Sequence, residues 1–255
     1  MLASTAIAKK KQETCKALAL SGGGNNGSWE VGVFWGMVNY GNLEDFNFDV
    51  MTGVSAGAIN TGVMAGWEIG TEKELADWGS DLWNNLSSSD IYQDWALGKV
   101  SGALIMSGLF DNAPLYNFLQ HTVDQFDGFK RRVTIAAANI ENGEYTEFDQ
   151  TNMTWKEVAE AAVASSSIPG VFPPHHWHGK GWFMDGGTVY NVNLEAAIRQ
   201  CLELVDDESD IIVDTYIVGY AESPELADES VDKSYEEWYR SYQVHKYYSN
   251  IDTIA

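Results

Sequence analysis

The 255-residue sequence predicts an α/β fold with a mostly parallel central sheet, and three observations carry that expectation. Short apolar runs at 16–21 and 48–52 alternate with helical stretches, so that by residue 66 the order is strand, loop, helix, strand, turn, helix. Parallel neighbours joined by right-handed crossovers are the usual solution to that order. Further apolar runs at 132–138 and 210–218 supply additional buried strands between helical segments. Glycine-rich turns, Gly22-Gly23-Gly24-Asn25-Asn26-Gly27 and Gly53-Val54-Ser55-Ala56-Gly57, follow the first two strands directly.

The remaining elements follow from period and punctuation. Ser28 is the expected N-cap of a helix whose apolar face is Val31, Phe34, Trp35 and Val38, stopped at Gly41. Thr71 with Glu74 forms a capping-box pattern ahead of Leu75, Trp78, Leu82, Trp83 and Leu86 on one helical face. Residues 87–111 show no period and suit either a cover over a site or a long surface connection, the second being preferred. Pro114 opens a helix through Leu115, Phe118 and Leu119. The pair Asn142-Gly143 signals a hairpin after the strand at 132–138. Thr154 and Glu157 form a second capping box, starting a helix that Ser165-Ser166-Ser167-Ile168-Pro169-Gly170 breaks. A short strand at 181–184 ends in Asp185-Gly186-Gly187, Leu194–Leu202 is helical, and Tyr235, Trp238, Tyr239 and Tyr242 mark a last aromatic helix face. We divide the chain into an N-terminal segment, 1–15, and one domain, 16–255.

Composition narrows the function. Thirty-seven acidic against 15 basic residues give a formal charge of −22, a field that repels polyanions and makes nucleic acid an unsuitable partner. Neutral and zwitterionic lipid surfaces stay compatible with a protein carrying ten tryptophans. No run approaches the roughly 20 apolar residues of a membrane span. Cys15 and Cys201 are too few for a disulfide framework or a four-ligand metal site, although one bridge between them is allowed. Ala6-Ile7-Ala8 before Lys9-Lys10-Lys11 resembles a signal-peptide remnant, and equally suits a frayed terminus, so the compartment stays open between cytoplasmic or membrane-peripheral, which is preferred, and secreted.

Ser55 falls at a strand-to-helix turn flanked by Gly53 and Gly57, where a nucleophilic serine is presented beside the N–H groups of a helix start. Gly22-x-Gly24-x-x-Gly27 matches a dinucleotide fingerprint, but the second strand ends in Thr52-Gly53 without the acidic residue that holds ribose hydroxyls. A phosphate-binding loop is further off, because Ser28 stands where lysine is required. A nest of backbone donors suited to an oxyanion remains. The proton acceptor expected for Ser55 is Asp185, at the end of an apolar strand and ahead of Gly186 and Gly187. His121 and His245 have ordinary helical settings, and the cluster His175, His176 and His178 lacks identifiable further ligands, so no metal is expected.

Together these residues resemble the patatin-like phospholipase family over about residues 16–220, with Gly22–Gly27 as its oxyanion loop, Gly53–Gly57 as its nucleophile turn and Asp185-Gly186-Gly187 as its acid turn. Ser165–Pro174 is similar to the segment that precedes that acid turn. The resemblance implies a three-layer α/β/α sandwich, a Ser55–Asp185 dyad, oxyanion donors from Gly22, Gly23 and Gly24, and hydrolysis of acyl esters in phospholipids or related lipids without a cofactor. A catalytically silent lipid-binding protein of the same fold, or a nucleotide-binding module using the glycine loop, are the alternatives. Family loops often carry Arg or Lys before the last glycine; Asn26 stands there, which favours neutral lipid esters.

Overall fold

The computed structural model describes residues 11–95 and 107–218, with single positions at 240, 244 and 248. Tyr235, Trp238, Tyr239, Tyr242 and His245 lie outside the described residues, as does the middle of the 87–111 connection. In chain order the elements are β1 (Cys15–Leu20), α1 (Gly27–Tyr40), β2 (Val50–Val54), α2 (Ala56–Met64), α3 (Glu72–Asn85), α4 (Ser88–Ile91), α5 (Ala113–Val123), β3 (Arg132–Asn139), β4 (Tyr145–Asp149), α6 (Val158–Ser166), β5 (His175–Trp177), β6 (Gly181–Asp185), α7 (Leu194–Leu202) and β7 (Ile211–Tyr216).

β7, β1, β2 and β3 lie side by side and parallel, while β4, β5 and β6 add antiparallel pairs beyond them. Alternation along the strands divides their side chains between two cores. Ala17 and Val50 join Ala197 and Cys201 of α7 on one face. Leu18, Leu20 and Met51 join Phe34 of α1, Met64 of α2 and Leu75 of α3 on the other, where Val133 and Ile135 meet Ala161 and Ala164 of α6. Helices therefore cover both faces, giving the three layers. A disulfide links Cys15 to Cys201 with Cα atoms 5.6 Å apart, tying β1 to α7.

Some local expectations gave way to tertiary contacts. The N-cap of α1 is Asn26, and Ser28 sits inside the first turn with its hydroxyl donating to the Asn25 carbonyl. At α3 the Thr71 hydroxyl donates to the Glu68 carbonyl instead of closing a box. The reason lies next door: buried Arg131 pairs with Glu72 at 3.2 Å and donates to the Trp67 and Glu68 carbonyls, which shapes the turn entering the helix. The Thr154–Glu157 box does form. β5 was not anticipated, since three residues are too few to display a period.

One register positions the site. β4 pairs with residues 134–138 of β3, overlapping the stretches that pair with β2 (132–136) and with β6 (137–139). A strand has two edges, so β4 holds one and the other is shared end to end by β2 and β6. Val54 lies opposite Ala136 and Asp185 opposite Ala137, which brings the residue after Val54 and the last residue of β6 to the same point on β3.

Candidate active site

Ser55 occupies that point with φ 54° and ψ −119°, the one positive φ at a non-glycine position among the described residues. Such a backbone costs on the order of 1–3 kcal/mol and persists only where its surroundings impose it. Here they do. The Ser55 N–H donates to the Ser165 hydroxyl at 2.8 Å, and that hydroxyl donates to the Ala136 carbonyl at 2.6 Å. The Gly57 N–H donates to the Ser21 carbonyl, bringing α2 so near β1 that a Cβ at position 57 would lie 2.5 Å from the Leu20 oxygen. A Cβ at Gly53 would lie 2.2 Å from the Gly57 oxygen, so both glycines flanking the turn are demanded by close approach.

The Ser55 hydroxyl donates to Oδ2 of Asp185 at 2.6 Å. The other carboxylate oxygen accepts the Gly187 N–H at 2.7 Å, and the Asp185 N–H donates to the Ser167 carbonyl. Gly186 packs against the Ala136 carbonyl and Val54. Both partners are buried, Ser55 at 5% and Asp185 at 6% exposure, so the pair is shielded while its hydroxyl still faces a cleft. A hydroxyl within hydrogen-bond reach of a carboxylate has the geometry of a nucleophile and its base.

The glycine loop lies across the same cleft. Asn191 clamps Gly22 from both sides, its carbonyl accepting the Gly22 N–H and its side-chain amide donating to the Gly22 carbonyl, each at 2.9 Å. Gly23 packs against Val218, and Gly24, with φ 60°, turns the chain into a single 3-10 turn leading to α1. The Gly22 N–H is thus engaged, whereas neither the Gly23 nor the Gly24 N–H donates to an acceptor among the described residues. The cleft measures about 540 Å³; Gly24, Asn25, Ser28 and Ser55 line it together with Ser87, Ser88 and Ser166 and a larger apolar set that includes Ile59, Trp83, Leu86, Ile91, Leu115 and Phe172. That is the size and character of a small-molecule site.

Histidines are placed elsewhere. His175 bonds to Glu160 and stacks near Tyr116, His176 stacks on Trp182 at 4.4 Å, and His121 lies in the last turn of α5. No group of three or more His, Cys, Asp or Glu side chains among the described residues is arranged to hold a metal ion.

Behind the loop sits a carboxyl group that the sequence reading passed over. Glu30 is 1% exposed; its Oε2 accepts the Asn60 amide at 2.8 Å, and its Oε1 has no partner among the described residues. Burial, offset in part by the Asn60 bond, pushes its pKa up to about 8. The folded state therefore holds a proton that the unfolded chain has released. The stability Glu30 contributes is complete below 4.5, the ordinary value of a glutamate carboxyl, and is lost as pH rises through about 8. Glu30→Gln is expected to flatten this slope, removing roughly 1.4 kcal/mol of stability loss per pH unit within that window. Urea denaturation of both proteins at intervals of about one pH unit checks it; parallel curves would count against a buried, protonated Glu30.

Ser165, Asn191, Glu30 and Asn60 are the site residues that sequence reasoning missed. Ser165 opens the segment already singled out before the acid turn, but nothing in spacing gives its two bonds. Asn191 had no signal. Glu30 had one: it falls on the apolar stripe of Val31, Phe34 and Val38, where an acidic side chain is out of place.

No curated protein matches the chain. Among solved structures it is similar to VipD from Legionella pneumophila, at 14% identity and a TM-score of 0.47 over 82% of this chain, which spans 51% of that one. The sequence profile described as patatin-like phospholipase matches residues 18–198, a stretch that runs from β1 through the Ser55 turn and Asp185 into α7, and the chain belongs to that family.

Proposed function

We propose that this protein is a serine lipid acyl hydrolase of phospholipase A type. The observation that carries the reading is the 2.6 Å contact between the Ser55 hydroxyl and Asp185 at the head of an apolar cleft. In the proposed reaction Ser55 Oγ attacks the ester carbonyl as Asp185 takes its proton. The oxygen that becomes negative meets the Gly23 and Gly24 N–H groups, one such donor typically contributing about 3 kcal/mol to the transition state. The proton returns to the departing alcohol, leaving an acyl-serine. Water, deprotonated by Asp185, then attacks the acyl carbon, and the fatty acid leaves as Ser55 recovers its proton. Gly22 acts through Asn191 in shaping the loop.

The substrate class follows from lining and charge. The apolar lining of the cleft suits an acyl chain, and a formal charge of −22 with Asn26 in the loop favours neutral or zwitterionic esters over anionic ones. Trp29, 53% exposed beside the cleft residue Ser28, is the proposed contact with a lipid surface. A fluorophosphonate probe is expected to label Ser55, located by peptide mass, and phosphatidylcholine vesicles and phosphatidylcholine-stabilised triacylglycerol emulsions are expected to release fatty acid. A protein that binds such vesicles with Ser55 unlabelled and no acid released would instead be a silent lipid binder.

A further inference from the structure

Four side chains stand between the cleft and a second void, and one of them is pinned in place. Ile59, Trp83, Leu86 and Ile91 border both the cleft over Ser55 and a second, apolar void of about 20 Å³ that continues inward between α1, α2 and α3 toward Phe34, Val63 and Leu75. The Trp83 indole is held more firmly than its neighbours. Its Nε1–H donates to Asn60 Oδ1 at 2.9 Å, and Asn60 donates in turn to the Gly27 carbonyl and to Glu30. A Cβ at Gly27 would lie 3.0 Å from both the indole edge and Ala56, so the ring is packed where α1 and α2 begin. An aliphatic partition such as Ile59 or Leu86 can change rotamer at small cost, whereas turning this ring leaves the buried Asn60 oxygen without its donor.

We infer that the acyl chain of the substrate runs from Ser55 along the apolar side of the cleft and ends against Trp83, so that this indole sets the longest acyl chain the enzyme accepts in full. The inference rests on the hydrolase reading and specifies its substrate. Beyond the length at which the chain meets the ring, extra methylenes stay in water and add nothing to transition-state binding. Where the ring is removed, the cleft joins the inner void and further methylenes are buried, each raising kcat/KM about fourfold.

The test is a chain-length series of p-nitrophenyl esters, butyrate through octanoate and laurate to palmitate, measured on the full chain. Wild type is expected to show kcat/KM rising with length and then levelling. Trp83→Ala is expected to move that break to longer chains and raise the long-to-short ratio by at least about tenfold, two methylenes' worth. Trp83→Phe, which keeps most of the bulk without the N–H, is expected to retain the wild-type break. Leu86→Trp, on the same partition, is expected to move it to shorter chains. An unchanged break in Trp83→Ala that melts cooperatively and is labelled at Ser55 overturns the inference and leaves the hydrolase reading standing. Should Trp83→Ala not fold, an unchanged break in Leu86→Trp does the same. Wild type that neither turns over any ester nor takes the label overturns both.

Discussion

Ser55→Ala is expected to lower kcat/KM on a phospholipid or p-nitrophenyl ester by about four to six orders of magnitude, the range seen when a serine hydrolase loses its nucleophile or the group acting with it. Asp185→Asn is expected to fall in the same range. The amide is nearly the shape of the carboxylate and can keep the Gly187 contact, but it cannot take a proton, and the hydroxyl 2.6 Å away then has no base. In the proposed reaction the two groups serve one proton transfer, so the double variant should cost scarcely more than the worse single one. Initial rates on purified, cooperatively melting variants decide the matter. Asp185→Asn retaining wild-type rates would show that some other group accepts the proton, and Ser55→Ala doing so would remove the covalent route altogether.

Loss of the Cys15–Cys201 bridge is expected to be the largest purely structural effect. The bond closes a loop with a sequence separation of 186. The chain-entropy relation for a loop of that size gives about 5 kcal/mol, comparable with the whole stability of many domains. Cys15→Ala with Cys201→Ala is the suitable comparison, since both sulfurs sit in an apolar cluster with Ala17, Val50 and Val205 where a hydroxyl would be buried without a partner. The expected result is a clear fall in the urea midpoint of the double variant, with a similar fall in wild type under reductant. Equal midpoints for oxidised, reduced and substituted protein would show that the packing of α7 on β1 suffices without the bond.

Much of this architecture was legible in the residues, and for identifiable reasons. The Ser55 turn announced itself because a tight strand-to-helix junction needs glycine at both flanks, and the close approaches at Gly53 and Gly57 are that need made physical. The parallel strands were legible as continuous apolar runs, since sheets covered on both faces lack polar alternation. Asp185 was found from its place at a strand end, yet the reason it meets Ser55 was not legible: β6 runs antiparallel and meets β2 end to end on one edge of β3, a fact of register that no local pattern encodes. Similarly, Ser165, Asn191 and Asn60 act through bonds that reach across 110, 169 and 30 residues of sequence, and such contacts carry no periodicity. The Thr71–Glu74 box failed because a buried guanidinium more than fifty residues away competed for the same turn.

The bridge between positions 15 and 201 has a topological corollary. Both Ser55 and Asp185, together with the glycine loop and its Asn191 clamp, lie inside the ring of chain it closes. A protease that severs one peptide bond anywhere within that ring opens it to a line without releasing a fragment. The two pieces stay joined through sulfur, with Ser55 and Asp185 still on one connected molecule. Under oxidising conditions nicking therefore changes the covalent path of the chain but not its mass, apart from one water, and separation awaits a thiol.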